Sequence, residues 1–382
     1  MDFSLSAEQR RLQQEITAFA RAELSADAAE RDRAQLFPRE LWLRCGELRL
    51  QGLMIPEIYG GGGLDAVSST LALEALGHGC EDGGLSFSIC AHLLACVVPI
   101  WKHGTEEQKR RYLPGMTKGS LIAANAMSEP ASGSDAFALT TRAESRESGY
   151  VLNGTKTFCS NGPVADVIVT YAATDPAKAY HGGITAFIVP RDTDGLRTGR
   201  PFHKLGLRSS QMSEVVFENA WVPADAVLGG VGGGSSVFAQ SMDWERACLG
   251  AVHIGTMQRL LDLVVTRART RRPSGEPVGK QQGVSHPVAD MKVRLEAARL
   301  LVYRAASRLD TARDISMDAA IAKLFVSEAL VATAQDAVRV FGADAAIEGH
   351  AAERALRDAI ASTLYSGTSE IQRNIIARWL GL

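Results

Sequence analysis

The chain of 382 residues lacks an excess of charge of either sign, with 41 Lys and Arg against 43 Asp and Glu and a formal net charge of -2. Balanced, interspersed charge makes no field that would concentrate nucleic acid or an anionic membrane. Small molecules or individual proteins are therefore the expected partners. Cysteine is sparse and scattered: Cys45, Cys80, Cys90, Cys96, Cys159 and Cys248 form no C-x-x-C pair, which fits a reduced, cytoplasmic chain without a metal centre. The N-terminus Met1-Asp2-Phe3-Ser4-Leu5 runs directly into charged residues, without the basic and apolar regions of a signal peptide. The longest apolar run, near Ile89 to Trp101, is broken by His92 and falls short of the roughly 18 to 20 residues of a membrane span. A soluble protein is expected.

Common catalytic signatures are missing as well. There is no H-E-x-x-H and no G-x-S-x-G, and Gly279-Lys280 is followed by Gln281 rather than completing a phosphate-binding loop. These absences count against a zinc protease, a lipase-type hydrolase and a nucleotide hydrolase. Without a G-x-G-x-x-G after a strand, a dinucleotide is not expected on a Rossmann turn. The triplet Asn153-Gly154-Thr155 matches a glycosylation acceptor, which has no meaning in a cytoplasmic chain.

What is present is enough apolar material, 46% of residues, for two or three packed layers. Up to about residue 79 the apolar positions recur at three and four (Leu12, Ile16, Phe19, Ala20, then Leu41, Leu43, Leu48), the period of amphipathic helices. The stretch from Ile55-Pro56 to Gly63 breaks that pattern, because proline lacks an amide donor and a glycine run is entropically costly in a helix. From about Ser120 to Val222 short β-rich pieces follow, around Tyr150, Val167 to Tyr171, Ile184 to Val189 and Glu214 to Phe217, separated by Gly, Asn, Asp and Pro. Long helical patterns then return over 237–269, 284–309, 316–341 and 351–364. The expectation is an α+β chain with an all-helical unit over 1–119, a largely antiparallel sheet unit over 120–228 and a helical bundle over 229–382, with Gly229 to Gly234 as a flexible junction.

One acidic residue stands out. Glu245, in Met242-Asp243-Trp244-Glu245-Arg246-Ala247-Cys248-Leu249, shares a helical stripe with Met242 and Leu249, and a carboxylate on an apolar face is costly. It either pairs with an arginine, such as Arg246 or one from another helix, or serves as a general base whose pKa desolvation lifts toward neutrality. Helical pattern alone does not choose.

Four segments in order resemble the acyl-CoA dehydrogenase family: Ala126-Met127-Ser128-Glu129-Pro130 through Asp135, Lys156-Thr157-Phe158-Cys159-Ser160-Asn161-Gly162, Gly206-Leu207-Arg208-Ser209-Ser210, and the closing Gly367-Thr368-Ser369-Glu370-Ile371-Gln372-Arg373. The resemblance implies the family's fold, with a four-helix bundle at the C-terminus, and FAD as cofactor. It implies flavin contacts from Met127, Ser128, Ser134, Phe158 and Ser160, and further cofactor contacts from Thr368 and Glu370. Arg271 and Gln282 would reach the FAD of a neighbouring subunit, and Arg339 and Gly342 would lie near its pyrophosphate, so a homo-oligomer, a tetramer, is implied. Three places depart from the pattern. Ser274, after Pro273, stands where an aromatic usually precedes Gly275, and a glycine-rich turn is reduced to Gly342-Ala343-Asp344-Ala345. The third is Ser366, in the place where many members carry the catalytic glutamate. Branched-chain and long-chain members place the base on the helix position matching Glu245, so the vacancy at 366 and the odd carboxylate at 245 explain each other. Arg246, Met242, Ser134 and Ser366 are then the expected thioester pocket.

More narrowly, residues 242–249, 164–171 and 365–369 resemble the branch that oxidises acyl groups held on acyl or peptidyl carrier proteins in natural-product pathways. That implies conversion of a prolyl thioester to a pyrrole-2-carboxyl thioester. An ordinary acyl-CoA dehydrogenase acting on a short or branched chain, or a flavin monooxygenase on the same scaffold, are the alternatives. The electron acceptor is not implied.

Overall fold

The computed structural model describes residues 4–270, 275–312 and 314–382. Arg271, Pro273 and Ser274, singled out above, lie outside the described residues. The first part is helical: α1 (Ala7–Phe19), α2 (Ala28–Ala34), α3 (Arg39–Glu47), α4 (Ala66–Gly79), α5 (Gly83–His92), α6 (Val98–His103) and α7 (Glu106–Thr117). Ser6 opens α1 and Thr105 opens α7 with capping boxes, each hydroxyl accepting from the third backbone N–H while a glutamine reaches back. Between α3 and α4 the Pro- and Gly-rich stretch forms only short 3-10 turns at Leu50–Gly52 and Glu57–Tyr59.

The expected short apolar run around residue 92 is part of something longer. A π-helical turn, Leu93–Val97, joins α5 to α6, and the resulting 83–103 helix is long and apolar enough by composition to cross a membrane, as is 234–269. Their apolar windows are 83% and 61% buried inside the fold, which accounts for the composition as core packing. His92 does not break the run, because the buried imidazole is satisfied on both nitrogens, by Met116 O and by the Ala123 N–H.

The middle part is an eight-stranded sheet of β1 (Ala123–Ala126), β2 (Arg142–Arg146), β3 (Gly149–Ser160), β4 (Val167–Ala173), β5 (Ile184–Pro190), β6 (Leu196–Thr198), β7 (Met212–Pro223) and β8 (Val227–Leu228). Its order is β6-β7-β3-β2-β4-β5-β8, antiparallel except where β4 runs parallel to β1 and β2. Strand β4 reads as an unbroken apolar segment because both of its faces are covered.

The third part holds α8 (Gly234–Cys248), α9 (Gly250–Arg269), α10 (Gln282–Leu309), α11 (Ser316–Phe341), α12 (Ala351–Ser362) and α13 (Ser369–Trp379). Ion pairs Arg294–Asp336 and Arg308–Asp318 set α10 and α11 antiparallel. One apolar cluster runs through the helices of both the first and third parts, and a second lies within the sheet. The α+β class and its helix-sheet-helix order are as expected. At the Gly229 to Gly234 junction Gly229, Gly230 and Gly232 take φ of 74°, 88° and 78°, the Gly232 N–H donates to Thr185 Oγ1 at 2.9 Å, and a Cβ on Gly234 would meet Ala186 N at 2.9 Å. Gly232 and Gly234 serve close approach to β5, whereas a Cβ on Gly229 would meet Val237 Cγ2 at 2.7 Å and one on Gly230 would meet nothing within 4 Å.

Candidate active site

Helix α8 carries Glu245 and runs almost straight into α9, the intervening Leu249 keeping helical dihedrals and donating its N–H to Glu245 O at 2.9 Å. Met242, Glu245 and Leu249, three and seven residues apart, are all buried. Among the described residues Glu245 has no ion-pair partner, which removes the arginine-pairing reading of this carboxylate. Its partner is a hydroxyl: Ser366 Oγ donates to Glu245 Oε1. Burial raises the carboxyl above the ordinary range, and the Ser366 hydrogen bond, then the positive charges of Arg246 and Lys323, work against that rise.

Ser366 reaches α8 because the chain reverses sharply after α12. Ser366 and Gly367 take φ of 57° and 88° in succession, and a side chain on Gly367 would come within 2.8 Å of Gln372 Nε2. The two carbonyls of this turn are held from three sides. Arg246 Nε donates to Ser366 O at 2.9 Å, Lys323 Nζ to Gly367 O at 2.7 Å, and Gln372 Nε2 to both, at 3.1 and 2.9 Å. Arg246 thus binds the turn rather than forming a salt bridge to its neighbour. Lys323 is brought down to about 8, first by burial and then by Arg246.

Glu245, Arg246, Lys323, His253, Tyr365 and Ser366 line a small cavity together with Leu249 and Val326. Met242 is buried one turn away and Ser134 is exposed on the loop after β1; neither forms a wall of that cavity. His253 Nε2 and the Tyr365 hydroxyl lie 2.7 Å apart. Burial, with Lys323 nearby, takes His253 down to about 3, and burial pushes Tyr365 up, so both are neutral at physiological pH. The Glu245 charge also acts on Tyr171 of β4 and on Cys96 of the π-helical turn, which in turn senses Cys159 of β3. The carboxylate therefore lies close to the sheet.

At the sheet, two segments are tied together. The Thr157 N–H donates to Ser128 O at 2.8 Å, Lys156 Nζ to Met127 O at 3.1 Å, and Lys156 forms a fully buried ion pair with Glu129 at 2.9 Å. Between Lys156 and Cys159 the β3–β7 register slips, and in that irregularity Phe158 takes φ 55° with 64% of its surface exposed. Left-handed backbone is strained for a bulky residue, and neither packing nor pairing accounts for an aromatic held outward; the Phe202 ring is 5.9 Å away. An exposed aromatic face beside Ser128, half-buried Ser160 and the Met127 backbone fits a flavin, whose ring is flat and apolar with a polar edge.

The remaining expected cofactor residues fall into two places. Thr368 caps α13, its hydroxyl accepting from the Ile371 N–H, and Glu370 is exposed in the first turn; both adjoin the Ser366 turn. Gln282 at the start of α10, exposed Arg339 near the end of α11 and Gly342 with φ 64° are at the other end of the bundle. Lys323 and Arg339 are 16 residues apart on α11, about 24 Å at the helical rise. No Cβ contact would be met at Gly342 within 4 Å, so that surface is open. Lys323, Gln372, His253 and the Lys156–Glu129 pair were not singled out by sequence. Only Lys323 carried a signal, as a lone cation in Ala320-Ile321-Ala322-Lys323-Leu324-Phe325-Val326.

An outward aromatic beside serine-bearing strand ends, with a desolvated carboxylate facing a cavity in a helix-sheet-helix protein, fits a flavin-dependent dehydrogenase. The matching domain models are the acyl-CoA dehydrogenase N-terminal domain over residues 6–120, middle domain over 124–220 and C-terminal domain over 232–381. The chain is 44% identical to an L-prolyl-[peptidyl-carrier protein] dehydrogenase of Pseudomonas fluorescens over the full length of both, and 40% identical to one from a Serratia species over 100% of this chain and 99% of the relative. Among solved structures, PigA with FAD and proline superposes with a TM-score of 0.97 at 39% identity, covering all of both chains, and the prolyl acyl carrier protein oxidase AnaB does so equally well over 99% of this chain and 100% of AnaB. The chain belongs to the acyl-CoA dehydrogenase family, is a dehydrogenase, and uses FAD.

Proposed function

We propose that the chain oxidises an L-prolyl group held as a thioester on a peptidyl carrier protein, in the sequence that delivers a pyrrole-2-carboxyl thioester. The observation that carries the chemistry is Glu245: buried, without a cation paired to it among the described residues, and facing a cavity. A carboxylate in that setting is a stronger base than one in water. It takes the proton from the carbon next to the thioester carbonyl. FAD, held by the residues named below, would supply the two-electron sink for the hydride that leaves the adjacent ring carbon. Neutral His253 and Tyr365 shape the pocket without adding charge, and Arg246 stays committed to the Ser366 carbonyl. Once an external electron acceptor has reoxidised the flavin, a second two-electron oxidation with isomerisation would remove two further hydrogens and give the aromatic ring.

Met127, Ser128, Phe158 and Ser160 hold the flavin ring, with Thr368 and Glu370 nearby. Gln282, Arg339 and Gly342, at the other end of the bundle from the Ser366 turn, serve the FAD of a second copy. The working units are 1–119, 120–228 and 229–382, and six buried free thiols accord with a cytoplasmic enzyme. The second reading is the same reaction on a coenzyme A thioester, favoured by relatives such as a Bacillus subtilis acyl-CoA dehydrogenase, 38% identical over 98% of both chains.

Intact mass spectrometry of the prolyl carrier protein tests the proposal: loss of four hydrogens is expected, loss of two means a single desaturation, and turnover of prolyl-CoA without turnover on the carrier overturns the carrier reading. Glu245→Gln should bind FAD and fail to reduce it with substrate. Bleaching of the flavin at the wild-type rate would refute the base.

A further inference from the structure

The residue that replaces a catalytic glutamate in the closing motif is held with more hydrogen bonds than a vacancy requires. Arg246, Lys323 and Gln372 place four bonds on the carbonyls of Ser366 and Gly367. Each of the three comes from a different helix: α8, α11 and α13. Two successive left-handed residues make the turn, which is costly for serine. The outcome of that local strain is a hydroxyl donated to Glu245 Oε1.

We propose that Ser366 is a positioning residue for the reaction, its hydroxyl, anchored through the Arg246, Lys323 and Gln372 clamp, fixing the rotamer of the Glu245 carboxylate so that the other oxygen faces the substrate cavity. The inference rests on the reading of Glu245 as the base. A carboxylate has two oxygens, and with Oε1 already accepting from the serine, Oε2 is left as the oxygen with both lone pairs open to a substrate proton. The hydroxyl also favours the ionised form. Other groups that face this carboxylate are Arg246 on its own helix, Lys323 on α11, Cys90 on α5, Cys96 in the π-helical turn, Tyr171 on β4 and Tyr365 after α12. Burial keeps the two thiols and two phenols protonated at physiological pH, so Ser366, Arg246 and Lys323 are the groups that hold the charge on Glu245.

The test uses Ser366→Gly in the FAD-loaded enzyme. Glycine adopts φ near 57° without cost, so the turn keeps its shape and only the hydroxyl is lost. Flavin reduction by saturating prolyl carrier protein, measured against pH, should show its acidic limb moved up by about one unit, the equivalent of one hydrogen bond to a charged group. The plateau rate should fall on the order of ten-fold from lost orientation, with little change in KM. Lys323→Met should move the limb the same way, and Lys323→Arg should restore part of the rate. An unchanged pH profile and a rate within two-fold of wild type in Ser366→Gly overturn the inference. If Glu245→Gln is inactive in the same assay, the base survives that result; if Glu245→Gln is active, the base itself falls.

Discussion

Replacing Lys156 with Met probes how the flavin face is built. Lys156 and Glu129 both have fully buried side chains, 2.9 Å apart, and Glu129 also accepts from the Thr140 N–H, the Thr141 N–H and the Thr140 hydroxyl. Burial alone would raise the Glu129 carboxyl; the Lys156 charge and the threonine donors overcome it and hold it at about 2. Removing the lysine leaves an uncompensated buried charge, which costs about 3 to 5 kcal/mol, and strips a donor from Met127 O. Lys156→Met should therefore lower the urea midpoint of the apoprotein by that equivalent. Adding Glu129→Gln should recover most of the loss, since a neutral pair of similar size is tolerated where a half-pair is not. The same variant should weaken FAD binding, because Met127, Ser128 and Phe158 are positioned by this clamp. The sign with pH follows: the Glu129 contribution is fully present above its ordinary 4.5 and is lost as pH falls toward about 2. A loss under about 1 kcal/mol, or a double variant as unstable as the single, would refute the account.

Two further outcomes follow from local geometry. Phe158→Ala should leave stability within about 0.5 kcal/mol, since the ring is mostly exposed, yet weaken FAD binding in equilibrium titration about ten-fold, a loss of about 1.4 kcal/mol; unaltered affinity would remove Phe158 from the flavin site. Helices α4 and α9 touch through glycines, a Cβ on Gly255 meeting Glu74 O at 2.1 Å and one on Gly77 meeting Val252 O at 2.1 Å. Gly255→Ala should cost about 1 to 3 kcal/mol as overpacking, and thermal melting at the wild-type temperature would contradict that close approach.

Much of the architecture was legible because it is periodic. The spacing of Leu12, Ile16 and Phe19 belongs to a helix, and Val167 to Tyr171 reads as a strand; both readings hold in α1 and β4. Four ordered motifs carried the family and its cofactor. Less legible were properties that depend on what one residue meets across the fold. Nothing local tells that Arg246 turns to a carbonyl 120 positions away, or that Gly232 and Gly234 dock on β5. The Lys156–Glu129 pair is hidden for the same reason, being formed between two motifs that each read as flavin loops. His92 misled in the opposite sense: a histidine in an apolar run reads as a break, and only its two buried partners make it part of the helix.

The serine in the closing motif also has a physical rationale. Its Oγ lies within hydrogen-bond reach of Glu245 Oε1, so the site has room for one carboxylate. Two ionised carboxylates that close, in a pocket where burial has already raised one, would share a proton, and the pair would then lose its basic member near neutral pH. For the proposed base on α8, a neutral donor at position 366 supports the charge, and the left-handed backbone there favours a small side chain. Serine meets both conditions at once. On the proposed reading of Glu245 as the base, the motif keeps its Gly-Thr-Ser-Glu frame for the start of α13 while the carboxylate is carried by α8, whose helical backbone continues through Leu249 into α9.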